Sequence, residues 1–325
     1  MKPLKSLRST PVLLGGALLL TATACGGQKW SEVENDSIRT VTQKGGATLG
    51  YSVQSGVKLL TVDGFAFKDL NRNGQLDKYE DWRLKPEQRA ADLASQLSVE
   101  EIAGLMLYSA HQSIPGASKG FGSSLYNGKP FAESGCEASD LSDAQRKFLV
   151  EDNVRHVLIT KVQSPEVAAR WNNNVQALVE GIGHGIPANN SSDPRHGTQA
   201  DTEYNYGSGG QISLWPGSLG LAATFRPEVV RRFGEIASIE YRALGIATAL
   251  SPQVDMATDP RWSRVSGTFG EDAGLATDMA RAYVDGFQTS TGDKELADGW
   301  GFQSVNAMVK HWPGGGSGAG GRAAH

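Results

Sequence analysis

From residue 86 to about 107 the apolar positions follow a helical period. Ala90, Leu93, Ala94 and Leu97 share one face, and Ser98 with Glu101 forms a capping box that opens a second helix. Helical spacing returns at residues 142–151, at 165–181 with Trp171, Val175 and Leu178 on the apolar side, at 227–244 and at 273–288. Pro227 suits the first turn of its helix, and Gly245 stops it. Between these stand short apolar runs that read as buried strands, at 154–160, 186–190, 219–223, 246–250 and 305–309. Strands alternating with helices of about 15–20 residues predict a parallel α/β architecture.

The polar residues sharpen that expectation. Asp193 follows the strand at 186–190, and Lys310-His311 ends the one at 305–309. The strand at 246–250 breaks at Ser251-Pro252 into a loop dense in Asp, Arg and Trp, where Pro252 and Pro260 rule out a helix. In a (β/α) barrel the carboxyl ends of the strands converge on one face, where the site lies. Asp193, Asp255 with Arg261 and Arg264, and Lys310-His311 would then meet in one pocket. Charged groups and an indole just past a strand end suit a sugar site on an α/β scaffold.

Composition adds limits. The 325 residues, 39% hydrophobic and 20% charged, make a globular chain rather than a disordered or fibrous one. The first 24 residues stand apart as a signal: Lys2, Lys5 and Arg8, then an apolar stretch at 12–20 too short to span a bilayer comfortably, then Ala22-Thr23-Ala24 and Cys25. This resembles a bacterial lipoprotein signal, with Cys25 the lipidated residue; the plainer alternative is a secretory signal with an incidental Cys. Either reading predicts export, to the cell surface or periplasm, with a membrane anchor at Cys25 in the first. Losing three basic and no acidic residues would carry the net charge from −4 to −7. Lipidation would leave only Cys136, so no disulfide framework is expected, and no zinc-like spacing of His and Cys is present. A net acidic chain without a Lys/Arg cluster argues against nucleic acid.

Residues 25–60 are polar and mixed, and read as a tether with an irregular segment. Within 61–83 every position of the calcium-loop pattern D-x-[DN]-x-[DN]-G-x5-E is filled, from Asp69 through Asn71, Asn73, Gly74 and Asp77 to Glu80. The ligands would be Asp69, Asn71, Asn73, Gln75 through its carbonyl, Asp77 and Glu80, around a structural Ca²⁺. The alternative is an Asx-rich turn without metal. No second loop is visible, which disfavours a paired EF-hand or a dockerin.

From residue 84 to 325 the chain is similar to the N-terminal barrel of glycoside hydrolase family 3, the family of many β-glucosidases and β-xylosidases. The segments LSVEEIAGLM, IPANNSSDPRHG, LWPGSLGLAATFRPEVV, ALGIATALSPQVDMATDPRWSRVSGTFGED and VKHWPGGG occur in the family's order. The resemblance implies a (β/α)8 TIM-barrel-like domain, incomplete at the C-terminus, and no cofactor for catalysis. It also implies that Asp193 accepts hydrogen bonds from glycone hydroxyls, with Arg264, Lys310 and His311 the other sugar-holding groups. Those chemistries agree: a carboxylate takes two hydroxyl protons, while Arg and Lys donate to oxygens. Trp262 or Trp312 could offer an apolar face to the sugar ring.

A retaining glycosidase needs two carboxyl groups about 5–5.5 Å apart. The family's nucleophile commonly lies in a Ser-Asp-Trp run, which does not occur in these residues, and its usual acid/base Glu comes from a following domain. Asp193, Asp255, Asp259, Glu271 and Asp272 are available, and the sequence raises none of them to nucleophile. The expectation is therefore a pocket for terminal β-D-glucosyl or β-D-xylosyl residues of oligosaccharides or glycosides, without its catalytic carboxylates and inactive alone. One alternative is a β-N-acetylhexosaminidase of the same family. Gly315 stands where that branch resembles a His, and Ala323 stands before His325 where it has Asp. Another is a non-catalytic, calcium-stabilised sugar-binding lipoprotein.

Overall fold

The computed structural model describes residues 27–117, 119, 123–197, 211–289, 295–297, 300, 301, 303–311, 315 and 320. The signal and Cys25 lie outside the described residues, as do Trp312, Ala323 and His325.

The N-terminal part is ordered, against the expectation of an irregular tether. Strands β1 (Trp30–Asn35), β2 (Ile38–Gln43) and β3 (Leu49–Ser52) form a three-stranded antiparallel sheet. Its strands were hidden in the sequence because their side chains are mostly exposed, so apolar alternation is weak. A hairpin of β4 (Lys58–Val62) and β5 (Phe65–Asp69) follows, and a small core of Val41, Tyr51, Val57 and Ala66 joins hairpin and sheet.

Next come α1 (Pro86–Gln96) and α2 (Val99–Leu105), the latter opened by the expected box: Ser98 Oγ accepts from the Glu101 N–H, and Glu101 accepts from the Ser98 N–H. Then follow β6 (Gln112–Ile114), a small hairpin of β7 (Leu125–Tyr126) and β8 (Lys129–Pro130), α3 (Phe131–Ser134) and α4 (Asp143–Val150). The rest runs β9 (His156–Val162), α5 (Pro165–Glu180), β10 (Asn189–Ser192), α6 (Ser218–Ala222), α7 (Pro227–Ala243), β11 (Thr248–Ala249), α8 (Ala273–Gln288), β12 (Glu295–Ala297), β13 (Trp300–Gly301) and β14 (Asn306–Ala307). The run at 219–223, expected as a strand, is helix α6; five apolar and small residues fit either period, and only the packing decides.

The central sheet has the order β6-β9-β10-β11-β14, and every pair is parallel. Each strand sits beside the next one in the chain, with helices between, and the order never reverses. That succession is the winding of a (β/α) barrel; a doubly wound sheet would reverse at a switch point. The main core lies between these strands and their helices, around Trp171, Val175, Phe233, Tyr241, Tyr283 and Phe287. Helices α7 and α8 approach closely because Gly234 faces Gly286, where an added Cβ on either would overlap backbone. No helix among the described residues is long and apolar enough to cross a membrane.

Candidate active site

Three strand ends carry the candidate residues. Asp193 directly follows β10, Asp255 lies in the loop after β11, and Lys310-His311 follow β14. Parallel order puts all three at the same edge of the sheet. The loop after β11 is stitched to the segment after β14, with the Lys310 N–H donating to the Pro252 carbonyl at 3.0 Å and the Val254 N–H to the Lys310 carbonyl at 2.8 Å.

The side chains meet accordingly. Lys310 Nζ lies 2.5 Å from Asp193 Oδ1, both groups about one-fifth exposed. The second Asp193 oxygen accepts no bond from a described residue, and an ammonium has two further donors. A carboxylate beside an ammonium offers acceptor and donors to neighbouring hydroxyls on a pyranose. His311 Nδ1 lies 2.7 Å from Asp255 Oδ2, while Asp255 Oδ1 accepts from the His311 N–H at 3.2 Å and the Gly315 N–H at 2.8 Å. Burial pushes the Asp255 carboxyl up, but these bonds outweigh it and hold the group below its ordinary value. An ionised Asp255, its side chain fully buried, fixes the tautomer and orientation of the imidazole.

Arg264 enters less directly. It is half-buried at the head of a single turn, Val265–Gly267, and its carbonyl accepts from Gln253 Nε2 at 3.5 Å. Two of the acidic residues in its loop are otherwise engaged. Asp255 is held by His311, and Asp259 pairs with Arg261 at 2.6 Å. No hydrogen bond or ion pair joins the Arg264 guanidinium to a described residue.

Other expectations change. Trp262 is 3% exposed, packed beneath its own loop, and presents no face to a sugar. Asp272 caps α8 by accepting from the Leu275 N–H at 2.7 Å. Glu271 is exposed. Of these carboxylates, Asp255 is held by three hydrogen bonds, Asp259 pairs with Arg261, and Asp272 caps α8.

A supporting layer lies behind Asp193. Tyr241 and Ser192 each donate a hydroxyl hydrogen bond to the Asp193 carbonyl at 2.8 Å. Burial pushes the Tyr241 phenol far up, so it stays a donor at any ordinary pH. Arg195 is buried, and its Nη2 donates to the carbonyls of Ile159 (3.2 Å) and Thr160 within β9. His196 Nε2 lies 2.7 Å from Glu240 Oε2, and Glu240 also accepts from the Ser213 backbone and hydroxyl. Sequence reading left Tyr241, Arg195 and Glu240 without roles. The one available signal was that Arg195-His196 adjoin Asp193-Pro194.

A sequentially wound parallel sheet with Asp193, Asp255, Lys310 and His311 gathered at its carboxyl edge defines the class: a (β/α)-barrel module. The chain belongs to glycosyl hydrolase family 3, whose N-terminal domain matches residues 123–324. It is 44% identical over 261 residues to a periplasmic β-glucosidase/β-xylosidase of Dickeya chrysanthemi, covering 80% of this chain and 36% of that one. A probable β-glucosidase C of Aspergillus oryzae is 36% identical over 249 residues, covering 75% and 35%. The solved structure of a β-glucosidase from Erythrobacter marinus superposes with a TM-score of 0.54 at 27% identity, covering 76% of this chain and 28% of that chain. The chain thus spans about a third of the length of the curated relatives it matches. Enzymes of this family need no cofactor for catalysis.

Proposed function

We propose that this chain supplies the glycone pocket of an exported β-glucosidase or β-xylosidase that removes terminal β-D-glucosyl or β-D-xylosyl residues with retention. The observation that carries the reading is the Asp193–Lys310 pair at the carboxyl edge of the barrel strands. Asp193 and Lys310 take the sugar's neighbouring hydroxyls. His311, held by Asp255, donates beside them. Arg264 closes the rim of the pocket. The relatives' names support the substrate class and, for the bacterial one, a place in the periplasm. The charged n-region, apolar stretch and Cys25 of the sequence support a lipid anchor.

The chemical step falls to carboxylates other than those described in the pocket, so this polypeptide by itself binds sugar without turning it over. A hexosaminidase role is disfavoured by Gly315: a Cβ there would lie 2.6 Å from Asp255 Oδ1, so a His at this position would displace the carboxylate that holds His311.

Calorimetry of the 325-residue chain with glucose, xylose and N-acetylglucosamine tests the reading. Binding of glucose or xylose that Asp193→Ala removes is expected. Preference for N-acetylglucosamine, or sugar binding indifferent to Asp193, would overturn it. Turnover of an aryl β-glucoside that Asp193→Ala abolishes would overturn the division of labour.

A further inference from the structure

The segment from Asp69 to Glu80 has a chemistry the sugar pocket does not use. Asp69 ends β5 and Glu80 closes the loop; each is 4% exposed. Asp69 Oδ2 accepts from the Gly74 N–H at 3.1 Å, whereas its Oδ1 is buried with no hydrogen-bond partner. Glu80 turns both oxygens inward, Oε1 accepting from the Leu70 N–H at 2.6 Å and Oε2 from the Asp77 N–H at 3.1 Å. Asn71 and Asn73 both direct their amides to Asp77 Oδ2, at 2.6 and 2.7 Å. Gly74 adopts φ +75°, the left-handed turn that folds the loop back on itself.

Charge makes the case. Three carboxylates, of Asp69, Asp77 and Glu80, face one short loop, and none forms an ion pair with a described residue. Arg83 pairs with Asp81 and Asp63, Lys68 with Glu180, and Arg72 donates to the carbonyls of Ser55 and Gly181, while Lys78 within the loop is exposed and pairs with none of the three acids. A buried carboxylate oxygen with neither donor nor cation is costly. The three acids do not by themselves gather as a metal cluster. Asn71 Oδ1 and Asn73 Oδ1 accept from the Asn73 and Gln75 N–H at 3.1 and 2.7 Å, and each keeps a second lone pair for a cation; with the Gln75 carbonyl they complete the donors. Six oxygen-donating residues on a flexible loop suit Ca²⁺; Mg²⁺ demands stricter geometry and holds its waters.

We propose that the Asp69–Glu80 loop is a Ca²⁺ site that fastens the N-terminal hairpin to the barrel. The loop sits on the C-terminal end of α5 and the turn that leads into β10. Arg72 bonds to Gly181, Leu70 packs against Gly185 so closely that a Cβ there would fall 2.8 Å from its side chain, and Tyr79 meets the His184 ring edge-on. A cation here orders the approach to β10, whose far end carries Asp193. It takes no part in sugar chemistry.

The test uses the full chain stripped with EDTA and titrated with CaCl2, read by calorimetry and by melting. One Ca²⁺ per chain is expected, with Tm raised about 5–10 °C at about a hundred times Kd, and little response to equal Mg²⁺. Tb³⁺ in the same loop should show luminescence sensitised by Tyr79 or Trp82. Asp69→Asn keeps the acceptor for the Gly74 N–H, and Asp77→Asn keeps the side chain's shape; each should weaken binding at least tenfold. Absence of Ca²⁺ binding by the wild-type chain would overturn the proposal. So would a Tm equal in EDTA and Ca²⁺, or variants that bind as tightly as wild type.

Discussion

Lys310 Nζ rests 2.5 Å from Asp193 Oδ1, joining residues 117 positions apart at the ends of β14 and β10, with β11 between them. Removing one member leaves an unpaired ion at a site only one-fifth exposed, while removing both does not. Asp193→Asn and Lys310→Met should therefore each destabilise more than half as much as the double variant. A coupling of about 1–2 kcal/mol is expected in a double-mutant cycle read by denaturant unfolding, reduced from a fully buried pair by solvent screening. Additive effects would show that the two groups do not lean on each other.

Asp255 predicts an acid limb in stability. Its carboxyl is held below the ordinary value, so the unfolded chain takes up its proton first as pH falls. The contribution is complete above about pH 4 and is lost as pH drops through the lower, folded value. Asp255→Asn should melt well below wild type at pH 7, and the gap should narrow towards pH 3. A gap independent of pH would remove the charge from the account.

The crossing of α7 and α8 depends on two hydrogens. A Cβ on Gly286 would fall 2.4 Å from the Arg231 carbonyl oxygen and 2.9 Å from the Gly234 Cα. Gly286→Ala should destabilise by about 1–3 kcal/mol, since backbone on both sides must yield. Gly50, which has open space around it, is the control and should change little. Equal melting of the two variants would contradict the close packing.

Tyr241→Phe should separate support from contact. The phenol donates to the Asp193 carbonyl at 2.8 Å, and Ser192 donates to the same oxygen. Loss of about 1 kcal/mol of stability is expected, with sugar affinity falling because Asp193 shifts. Affinity unchanged alongside the lost stability would show that Ser192 alone holds Asp193 in place.

Much of this was readable in the chain before its fold was known. The long helices declared themselves because Trp171, Val175, Val230 and Phe233 recur at the period of a buried face, and the caps at Ser98, Ser142 and Ser164 mark their starts. Strand ends were legible only to within a few residues: β10 is Asn189–Ser192, later than the run at 186–190, because its polar side chains are satisfied by bonds to neighbours, Asn189 to Thr248 and His156 on the adjacent strands and Asn190 to Asn172 on α5. The N-terminal sheet was illegible, since strands exposed on both sides carry no alternation. The sequence put Asp193 and Lys310 in one pocket but did not show their direct ion pair. Strand order supplies it, and no local spacing records that order. The same holds for Trp262, whose burial depends on how its loop folds over it.

Arg195 sits two residues past Asp193, its guanidinium buried against the Ile159 and Thr160 carbonyls of the neighbouring strand β9. A residue so placed anchors the carboxylate that we propose holds the sugar, and is itself buried away from the strand-end surface. In a mutational scan scored by affinity alone, Arg195 would rank among the ligands, and a map drawn from that scan would make the pocket one residue too large. Only a scan that records melting beside affinity would return it to the scaffold.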